Sequence, residues 1–453
     1  MSIEREPSCE DVTEPTLLPV VEARRRMAAS VTPLAGTETL PLTRAAGRVL
    51  ATPVVAPHDV PAHANSAMDG YAIASSSIPA SGEATLALRG VAWAGRPFRG
   101  EPLVAGEAVR IFTGAIMPPG ADTVVIQERT AADDESVRID AEVEPGRNVR
   151  AAGEDVRAGQ EVFAGGRRLE AADVGVIASL GIGRVTVGRR PCVAYFTTGD
   201  ELRALADDTD GAAPPEGCLY DSNRHTLGAL LAGLGVDTVD LGIVPDDIEA
   251  TRRALEEGAA RADLVVTSGG ISAGDADFVR EAFHRIGEVT FWRIAMRPGR
   301  PLAFGRLGGG RATDGAESDG ERGAVPGAGG EPAGNGAVFF GLPGNPVAVM
   351  VTFLEFVQPA IRRLSGMTDA EPLALPARCL STLRKSAGRV EYQRGVMRVE
   401  AGELVVESTG KQGAGRLSSM SAANCLIVIA AEVDGVVPGD TVHVQPFRGL
   451  LPG

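Results

Sequence analysis

The periodicity of apolar positions changes along the chain and divides it into stretches of different predicted structure. Residues 1–15 are rich in Glu, Pro and Ser, which predicts disorder. Apolar residues at helical spacing then predict a helix over 17–31. From 47 to about 190, short β-type runs alternate with Gly- and Pro-containing turns and predict β-rich structure. These runs lie at 48–55, 85–91, 108–112, 123–127 and 136–139.

The stretch from 191 to about 364 alternates between strand-like and helical patterns. The apolar runs lie at 192–197, 236–241, 263–267, 289–294, 302–304 and 338–340. The helical patterns lie at 222–234, 247–260, 277–286 and 346–364. This alternation predicts a mostly parallel sheet with helices on both faces. The segment 308–336 has no period and is rich in Gly, Ala, Glu and Asp, so we interpret it as a disordered surface insertion.

After 372 the chain returns to short strands and turns, which predict a small all-β barrel or sandwich. The runs lie at 389–399, 403–407, 425–431 and 441–445. The predicted fold class is therefore α/β plus β-rich domains. A central, mostly parallel α/β domain follows N-terminal β-rich modules and precedes a small C-terminal β-barrel.

Composition narrows the class of protein. A length of 453 residues predicts about three domains. The net charge of -15 disfavours non-specific binding to nucleic acid or to anionic membranes. The 5 cysteines form no C-x-x-C pair, which favours reduced thiols in a cytoplasmic protein. We expect neither a signal peptide nor a membrane span, because the start is acidic and no apolar run approaches 18 residues.

Three predicted strands of the α/β part end in glycine-rich loops with polar residues: "FTTGDEL" at 196–202, "TSGGISAGDADF" at 267–278 and "FFGLPGNPVAV" at 339–349. In a parallel sheet these loops share the carboxyl edge, where ligands of open α/β sheets bind. Glycines let a ligand approach the backbone, and helix N-termini offer N–H groups to phosphate. The alternative is that they are only tight turns. No loop matches a P-loop or a dinucleotide-binding fingerprint.

Several carboxylates follow the predicted strand ends, namely Asp200, Glu201, Asp246, Asp275 and Asp277. Carboxylates beside a phosphate-binding loop would repel the phosphate, and a divalent cation removes that conflict. The alternative for Asp275 or Asp277 is a helix cap. For the group we favour a metal.

Two further stretches carry polar side chains that suit anions or catalysis. "MRPGRPLAFG" at 296–305 places Arg297 and Arg300 around a Pro-Gly turn, where guanidinium groups suit an oxyanion. The alternative is a pair of solvated surface arginines. "NSAMDGYA" at 65–72 carries Asp69 beside a glycine, which a plain turn would also explain.

Together these stretches resemble the molybdopterin molybdenumtransferases, called MoeA in bacteria and matching the E-domain of gephyrin. The resemblance rests on "NSAMDGYA", "RIFTGAIMPPGADTVV", "TTGDEL", "YDSNRHTL", "TSGGISAGDADF", "MRPGRPLAFG" and "GLPGNPVAVMVTF", in that order. It implies insertion of molybdenum from molybdate into adenylylated molybdopterin, with release of AMP and help from Mg²⁺. It also implies a homodimer whose active site lies between the α/β domain and the other subunit's N-terminal regions.

The resemblance implies a set of domains and site residues. The domains would be a disordered N-terminus (1–15), an elongated domain (16–66 and 150–189), a β-rich inserted domain (67–149), an α/β molybdopterin-binding domain (190–366) and a β-barrel domain (367–453). Catalytic roles would fall to Asp69, Thr113, Asp155 and Asp246, and metal ligation to Glu201 and Asp277. Substrate would bind Gly269, Gly270, Ser272, Arg297, Arg300, Pro343, Gly344, Asn345, Ser386 and Arg389.

The family usually has lysines where this chain has Arg297 and Arg300. The compact ammonium group of lysine is therefore replaced by a planar guanidinium, which offers several N–H donors in a fork. Implied partners are the substrates, a second copy, the molybdopterin adenylyltransferase and acceptor molybdoenzymes. Two other functions stay open. One is adenylyl transfer to molybdopterin, as in single-domain relatives; the other is a peptide-binding scaffold, as in gephyrin.

Overall fold

The structure is a computed structural model that describes residues 17–205, 211–270, 286–308, 336–368 and 371–447. The chain forms two compact units. The first unit comprises Met1–Glu38, Gly47–Ala51 and Thr186–Gly453, and the second comprises Thr39–Ala46 and Thr52–Val185.

No helix within the described ranges is long and apolar enough to cross a membrane.

The helices of the described chain are short to medium in length. They are α1 (Val20–Ser30), α2 (Ala171–Ser179), α3 (Ser222–Gly233), α4 (Ile248–Arg261), α5 (Pro346–Thr352), α6 (Gln358–Leu364) and α7 (Leu417–Ala422). A π-helical segment, Phe353–Val357, joins α5 to α6.

The strands follow the same chain order. In the N-terminal half they are β1 (Thr37–Pro41), β2 (Val54–Val55), β3 (Asn65–Ser66), β4 (Gly70–Ile73), β5 (Glu83–Ala92), β6 (Glu107–Ile111), β7 (Thr123–Ile126), β8 (Ala131–Ala132), β9 (Ser136–Asp140), β10 (Val149–Arg150), β11 (Glu161–Phe163) and β12 (Arg184–Gly188). The central strands are β13 (Cys192–Thr198), β14 (Leu202–Arg203), β15 (Leu219–Tyr220), β16 (Asp237–Val244), β17 (Leu264–Ser268), β18 (Gly287–Arg293), β19 (Met296–Arg297), β20 (Pro301–Leu307) and β21 (Ala337–Leu342). The C-terminal strands are β22 (Leu375–Cys379), β23 (Leu383–Arg384), β24 (Val390–Glu400), β25 (Glu403–Ser408), β26 (Cys425–Ile429), β27 (Gly435–Val436) and β28 (Thr441–Pro446).

The first unit is built on a six-stranded sheet of order β16-β13-β17-β21-β20-β18. The strands β16, β13, β17 and β21 are parallel, and β20 runs antiparallel to both of its neighbours. The mostly parallel α/β sheet predicted from the alternating periods is therefore confirmed.

Successive residues of β13 enter two different hydrophobic cores, one on each face of the sheet. Val193 and Tyr195 pack in the core that contains Leu227 and Leu231 of α3. Ala194 and Phe196 pack in the core that contains Leu255 of α4. Because side chains alternate between the faces of a strand, helices must cover both faces.

The C-terminal strands close into a five-stranded barrel. Strand β24 pairs with both β25 and β26, and β22 and β28 complete the circuit in the order β24-β25-β22-β28-β26. Closure removes the exposed strand edges that an open sheet would leave. Of the barrel and the sandwich expected from the sequence, the barrel is confirmed.

The second unit contains a six-stranded sheet of order β7-β4-β6-β5-β9-β8. Its runs begin and end within two residues of the predicted positions from 85 onward. Within the stretch predicted to be β-rich, 47–190, Ala171–Ser179 forms a helix, α2, that was not predicted. A capping box between Glu170 and Asp173 begins this helix, and Arg167 pairs with Asp173 at 2.8 Å.

Four predictions fall wholly or largely outside the described residues. These are the disordered start at 1–15, the helix at 277–286, and the roles of Ser272 and Asp277. Residues 309–335 of the predicted insertion also lie outside them.

Candidate functional site

The carboxyl ends of the four parallel strands lie at one edge of the central sheet. Thr198 pairs with Val244, Thr197 pairs with Ser268, and Ser268 pairs with Leu342. The loops that follow these strands therefore leave the sheet side by side, as the sequence predicted. We call this place the strand-end site; it includes Gly269, Gly270, Pro343, Gly344, Asn345, Glu201 and Asp246.

Gly269 allows two of these loops to approach closely. Its N–H donates to the carbonyl of Leu342 at 3.1 Å, and its φ of +97° favours glycine. A Cβ at this position would lie 2.6 Å from the carbonyl oxygen of Thr198. A Cβ on Gly344 would lie 3.8 Å from the Cα of Gly269. The bare backbone is therefore required where the loops after β13, β17 and β21 meet.

Asn223 ties the loops together from the first turn of α3. Its side-chain amide donates to Ser268 Oγ at 2.9 Å and to the carbonyl of Gly344 at 2.7 Å. The Ser268 hydroxyl donates in turn to the carbonyl of Pro343 at 3.2 Å. Asn223 was not among the predicted site residues, although it lies in the "YDSNRHTL" stretch. One amide thus fixes the spacing of two loops.

Asp221 fixes the start of α3 and with it the position of Asn223. Its carboxylate accepts the N–H of Arg224 at 3.0 Å as a helix cap, and it also accepts the hydroxyl of Thr197. Asp221 is buried. Its role is therefore to attach α3 to β13.

Two buried oxygen atoms at this edge have no hydrogen-bond partner among the described residues, Thr198 Oγ1 and Asn223 Oδ1. An unmatched buried polar group costs about 1–3 kcal/mol. Thr198 is 6% exposed, so its hydroxyl lies in a protected position beside Gly269. Both oxygens are buried at the strand-end site and lack a hydrogen-bond partner in the part of the chain that the structure describes.

Three carboxylates gather beside the loops. The N–H of Asp246 donates to Asp200 Oδ1 at 3.1 Å. Burial raises the pKa of Asp246, and the negative charges of Asp200 and Glu201 raise it further, while the backbone N–H of Asp200 lowers it by donating to the Asp246 carboxylate. The Glu201 carboxylate folds back over Gly199, where a Cβ would lie 2.7 Å from Oε2. The negative charges of Asp200 and Glu201 therefore act on Asp246 at close range.

This donor set fits a hard divalent cation. Carboxylate oxygens are the ligands that Mg²⁺ takes, usually one or two of them together with phosphate oxygens and water. Within the described residues no three His, Cys, Asp or Glu side chains are arranged as a ready metal cage. A site completed by substrate phosphate needs no such cage. Asp277, the second predicted ligand, lies outside the described residues.

The Pro-Gly turn with the two arginines joins the α/β domain to the barrel. Arg297 is exposed and its backbone pairs with Glu391 of β24. Gly299 has a φ of +102°, and a Cβ there would lie 2.5 Å from Thr352 Cγ2 of α5. The carbonyl of Arg300 accepts the N–H of Ile294 at 2.8 Å. The turn is therefore held in one conformation by α5.

The segment with Ser386 and Arg389 lies next to this turn. The N–H of Val390 donates to the carbonyl of Ala295 at 2.9 Å, which places Arg389 one residue from the paired strands. Ser386 is exposed, and Arg389 is partly buried. The structure therefore brings the backbone segments of Arg389 and Arg297 together.

A loop of the barrel also reaches α5. The carbonyl of Ala414 accepts the N–H of Val347 at 3.1 Å. Arg394 anchors this loop, because its guanidinium donates to Ser419 Oγ at 3.0 Å and to the carbonyl of Gly413 at 3.1 Å. Burial lowers the pKa of Arg394 to about 10, so it stays cationic at neutral pH. Sequence reasoning missed Arg394 because it lies inside an ordinary strand pattern.

In the second unit, Asp69 and Thr113 form a bonded pair. Asp69 Oδ1 accepts the backbone N–H of Thr113 at 2.8 Å and its hydroxyl at 2.7 Å. These bonds, the backbone one first, lower the pKa of Asp69. The N–H of Gly114 donates to the carbonyl of Ser66 at 2.8 Å, which holds the two loops together. Two separate sequence motifs thus meet, although no carboxylate–hydroxyl pairing was predicted.

Asp155, the third predicted residue of this unit, is exposed. Its N–H donates to the carbonyl of Val60 at 3.0 Å. Strand β10 carries the chain to this position and pairs with β3 at the start of "NSAMDGYA". Asp155 therefore lies a few residues after β10, the strand that pairs with the segment leading to Asp69.

The fold and the strand-end site define a multidomain α/β protein whose sheet edge suits a phosphorylated ligand. Family models match 18–181 as the MoeA N-terminal region (domain I and II), 194–363 as a probable molybdopterin binding domain, and 376–447 as the MoeA C-terminal region (domain IV). A molybdopterin molybdenumtransferase of Haemophilus influenzae is 37% identical over 96% of this chain and 100% of its own. One from Nostoc is 35% identical over 87% of this chain and 85% of its own. The chain belongs to the molybdopterin molybdenumtransferase family.

Other relatives agree with this assignment. Gephyrin of Dictyostelium discoideum is 32% identical over 86% of this chain and 57% of its own length. The crystal structure of the molybdopterin biosynthesis moeA protein from Pyrococcus horikoshii OT3 has a TM-score of 0.77 at 26% identity. It is matched over 95% of this chain and 100% of that one.

Proposed function

We propose that this protein inserts molybdenum from molybdate into adenylylated molybdopterin and releases AMP, as a step of molybdenum cofactor biosynthesis. The single observation that carries the proposal is the strand-end site, where bare glycine backbone and three carboxylates meet in a domain of the molybdopterin-binding family. Relatives that match nearly the whole chain are named molybdopterin molybdenumtransferase, which supports the same activity.

The substrate's phosphates and pterin would bind the glycine-rich loops. Gly269 and Gly344 present no side chain, so no side chain would separate a ligand from the backbone at either position. Thr198 Oγ1 and Asn223 Oδ1 supply hydrogen-bonding groups at the same edge. Gly270, Ser272, Pro343 and Asn345 are proposed to complete this contact.

Mg²⁺ is proposed to bind Glu201 and Asp277, with Asp246 beside them. The excess negative charge of Asp200, Glu201 and Asp246 supports this assignment. When bound, the ion would supply Lewis-acid polarisation of the phosphoanhydride. The residues' own part is to hold carboxylate oxygens at the strand ends and to keep Asp246 in a protected environment.

Molybdate is an oxyanion, and Arg297, Arg300, Ser386 and Arg389 are proposed to hold it. The pairing of β19 with β24 brings the backbone carrying Arg297 beside the backbone carrying Arg389. Guanidinium forks bind tetrahedral oxyanions through paired N–H groups. Asp69, Thr113 and Asp155 are proposed to act in the same reaction.

We further propose that the protein works as a homodimer in the cytoplasm and exchanges substrate with a molybdopterin adenylyltransferase and acceptor molybdoenzymes. The test of the function is to incubate the purified protein with adenylylated molybdopterin, Mg²⁺ and molybdate. AMP and active cofactor should both appear. Formation of adenylylated molybdopterin from ATP, with no molybdate-dependent AMP release, would contradict the proposal and favour adenylyl transfer.

A further inference from the structure

The second unit carries an exposed stack of aromatic rings and a guanidinium, which we call the Trp93 stack. The rings of Trp93 and Phe112 lie 4.2 Å apart and are nearly parallel, at 9°. The guanidinium of Arg110 lies 5.0 Å from the Phe112 ring and 4.8 Å from the Tyr71 ring, so it is layered between them. Trp93 is the outermost member of the stack and is 49% exposed. Its uncovered surface is a flat aromatic face supported from behind.

The Trp93 stack lies beside the Asp69–Thr113 pair. Phe112 is the residue before Thr113, and the N–H of Phe112 donates to the carbonyl of Ala92 at 3.3 Å. A Cβ on Gly114 would lie 3.9 Å from Ala94 Cβ, so the turn after Trp93 contacts the turn after Thr113. The positive charge of Arg110 also contributes to the lowered pKa of Asp69. The stack and the proposed catalytic pair are therefore parts of one local structure.

A tight turn places a second cation next to Trp93. Trp93 and Arg96 exchange both backbone hydrogen bonds, at 3.0 and 2.9 Å, around Ala94 and Gly95. Gly95 has a φ of +78°, the positive value that the third residue of a type II turn requires. Residues directly opposite each other in an antiparallel pair project from the same face. Arg96, which is exposed, therefore projects on the same side as the indole.

We propose that the Trp93 stack is a binding surface for a planar heteroaromatic ring that carries a phosphate, with the ring on Trp93 and the phosphate facing Arg96. The inference rests on the proposed function, whose substrate contains two such rings, adenine and pterin. Aromatic side chains bind bases by stacking with little dependence on the base, and neighbouring cations attract the phosphate. Phe112 and Arg110 keep the indole in place, so little rotamer freedom is lost when the ring binds.

Fluorescence tests this inference without turnover. The chain has 2 tryptophans, and Trp292 packs against Phe304 in the first unit. In the Trp292→Phe variant, Trp93 is the remaining tryptophan. AMP should quench its emission in a saturable manner, while ribose 5-phosphate at the same concentration should not. Equilibrium dialysis of 6-hydroxymethylpterin against the wild-type protein and Trp93→Ala gives the second arm, since only the binding that is lost in Trp93→Ala lies at the stack, and the tighter of the two ring compounds at the stack identifies which ring it takes.

Kinetics with adenylylated molybdopterin give the second readout. Trp93→Ala should raise KM about 10-fold or more with kcat within about twofold, because stacking contributes binding rather than chemistry. Trp93→Phe should restore most of the loss, because it keeps a stacking ring. Val55→Ala is the matched control, since Val55 is an exposed apolar residue of the same unit at 49% exposure. It should leave KM unchanged.

The outcomes separate the two proposals. Quenching by AMP, or pterin binding that is lost in Trp93→Ala, without molybdate-dependent AMP release, would support the ring site and overturn the proposed function. Molybdate-dependent turnover with an unchanged KM in Trp93→Ala, and neither quenching nor Trp93-dependent pterin binding, would overturn the ring site alone. A change of oligomeric state in Trp93→Ala, with KM unchanged, would likewise overturn it and assign Trp93 to a protein contact.

Discussion

At the scale of single residues, the proposed chemistry depends on hydrogen bonds that set protonation. Asp69 accepts two bonds from Thr113, and the first of these, from the backbone, lowers the pKa of Asp69 most. The proposed role of Asp69 therefore begins from an ionised carboxylate at neutral pH. The loss of either Thr113 donor should therefore change the titration of the Asp69 carboxyl group.

Thr113→Val removes the hydroxyl donor and keeps the backbone donor and the side-chain shape. The pKa of Asp69 should rise toward its ordinary value of about 3.9. A lowered folded-state pKa gives stability that is present above the unfolded value and is lost as the pH falls through the folded one. The variant should therefore show a smaller loss of stability in acid. Titration of the Asp69 carboxyl carbon by NMR is the measurement, and an unchanged titration curve would show that the hydroxyl plays no part.

The carboxylate cluster makes the metal assignment testable without turnover. Burial and the negative charges of Asp200 and Glu201 raise the pKa of Asp246, and bound Mg²⁺ would oppose this effect. Mg²⁺ at about ten times its Kd should raise Tm by about 2 °C by mass action. Glu201→Gln should abolish this response. The control Glu256→Gln changes a carboxylate on α4 that pairs with Arg252, and it should keep the response. Equal Mg²⁺ shifts in all three proteins would rule out Glu201 as a ligand.

At the scale of elements, the strand-end site depends on how closely three loops pack. Gly269 has no room for a side chain, because a Cβ would lie 2.6 Å from the carbonyl oxygen of Thr198. Asn223 then holds the loops of β17 and β21 at a fixed spacing. The loops are therefore positioned by backbone contacts, and a single added methyl group should displace them.

Gly269→Ala should weaken the binding of adenylylated molybdopterin and lower stability by about 2 kcal/mol or more, because it adds a collision to a strained φ. Gly366→Ala is the matched control. Gly366 also has a positive φ, +84°, but nothing lies within 4 Å of its added Cβ. It should lose only about 1 kcal/mol and bind substrate normally. Urea unfolding and a substrate titration measure both effects; equal losses in the two variants would show that the loop contact has no importance.

Period and spacing predicted many of the longer strands, because local sequence strongly influences them. Strand β13 and helices α3 and α4 begin and end within one or two residues of the predicted positions. Helix α2 was missed because it is short and rich in small residues. Its start is marked by a capping box, and it is too short to show a clear helical period. The bridging role of Asn223 and the anchoring role of Arg394 could not be predicted, because each depends on strands distant in sequence.

The candidate site was predictable only in part. Topology requires the strand ends to meet, so the gathering of Gly269, Gly344 and Asp246 followed from the sequence. The contact of Asp69 with Thr113 depends on tertiary packing of two loops, and only the family resemblance singled out both residues. The proposed roles of Ser272 and Asp277 stay predictions.

At the scale of the whole molecule, the arrangement combines an α/β sheet with a barrel in one unit and a separate β-rich unit. The Arg297 turn and the loop at Ala414 attach the barrel to the α/β domain. The arginines that are proposed to bind molybdate therefore come from the junction of two domains, while the glycine loops come from one sheet. The net charge of -15 means that such local cations are needed to hold molybdate and phosphate.

The most direct test of the proposed function measures both products of the reaction in the same experiment. Purified protein is given adenylylated molybdopterin and Mg²⁺, with and without molybdate, and both AMP and active molybdenum cofactor are measured over time. AMP should appear only with molybdate, in a one-to-one ratio to active cofactor, and Glu201→Gln should lower both rates about 100-fold. AMP release at the same rate without molybdate, or release without cofactor formation, would contradict the proposed function.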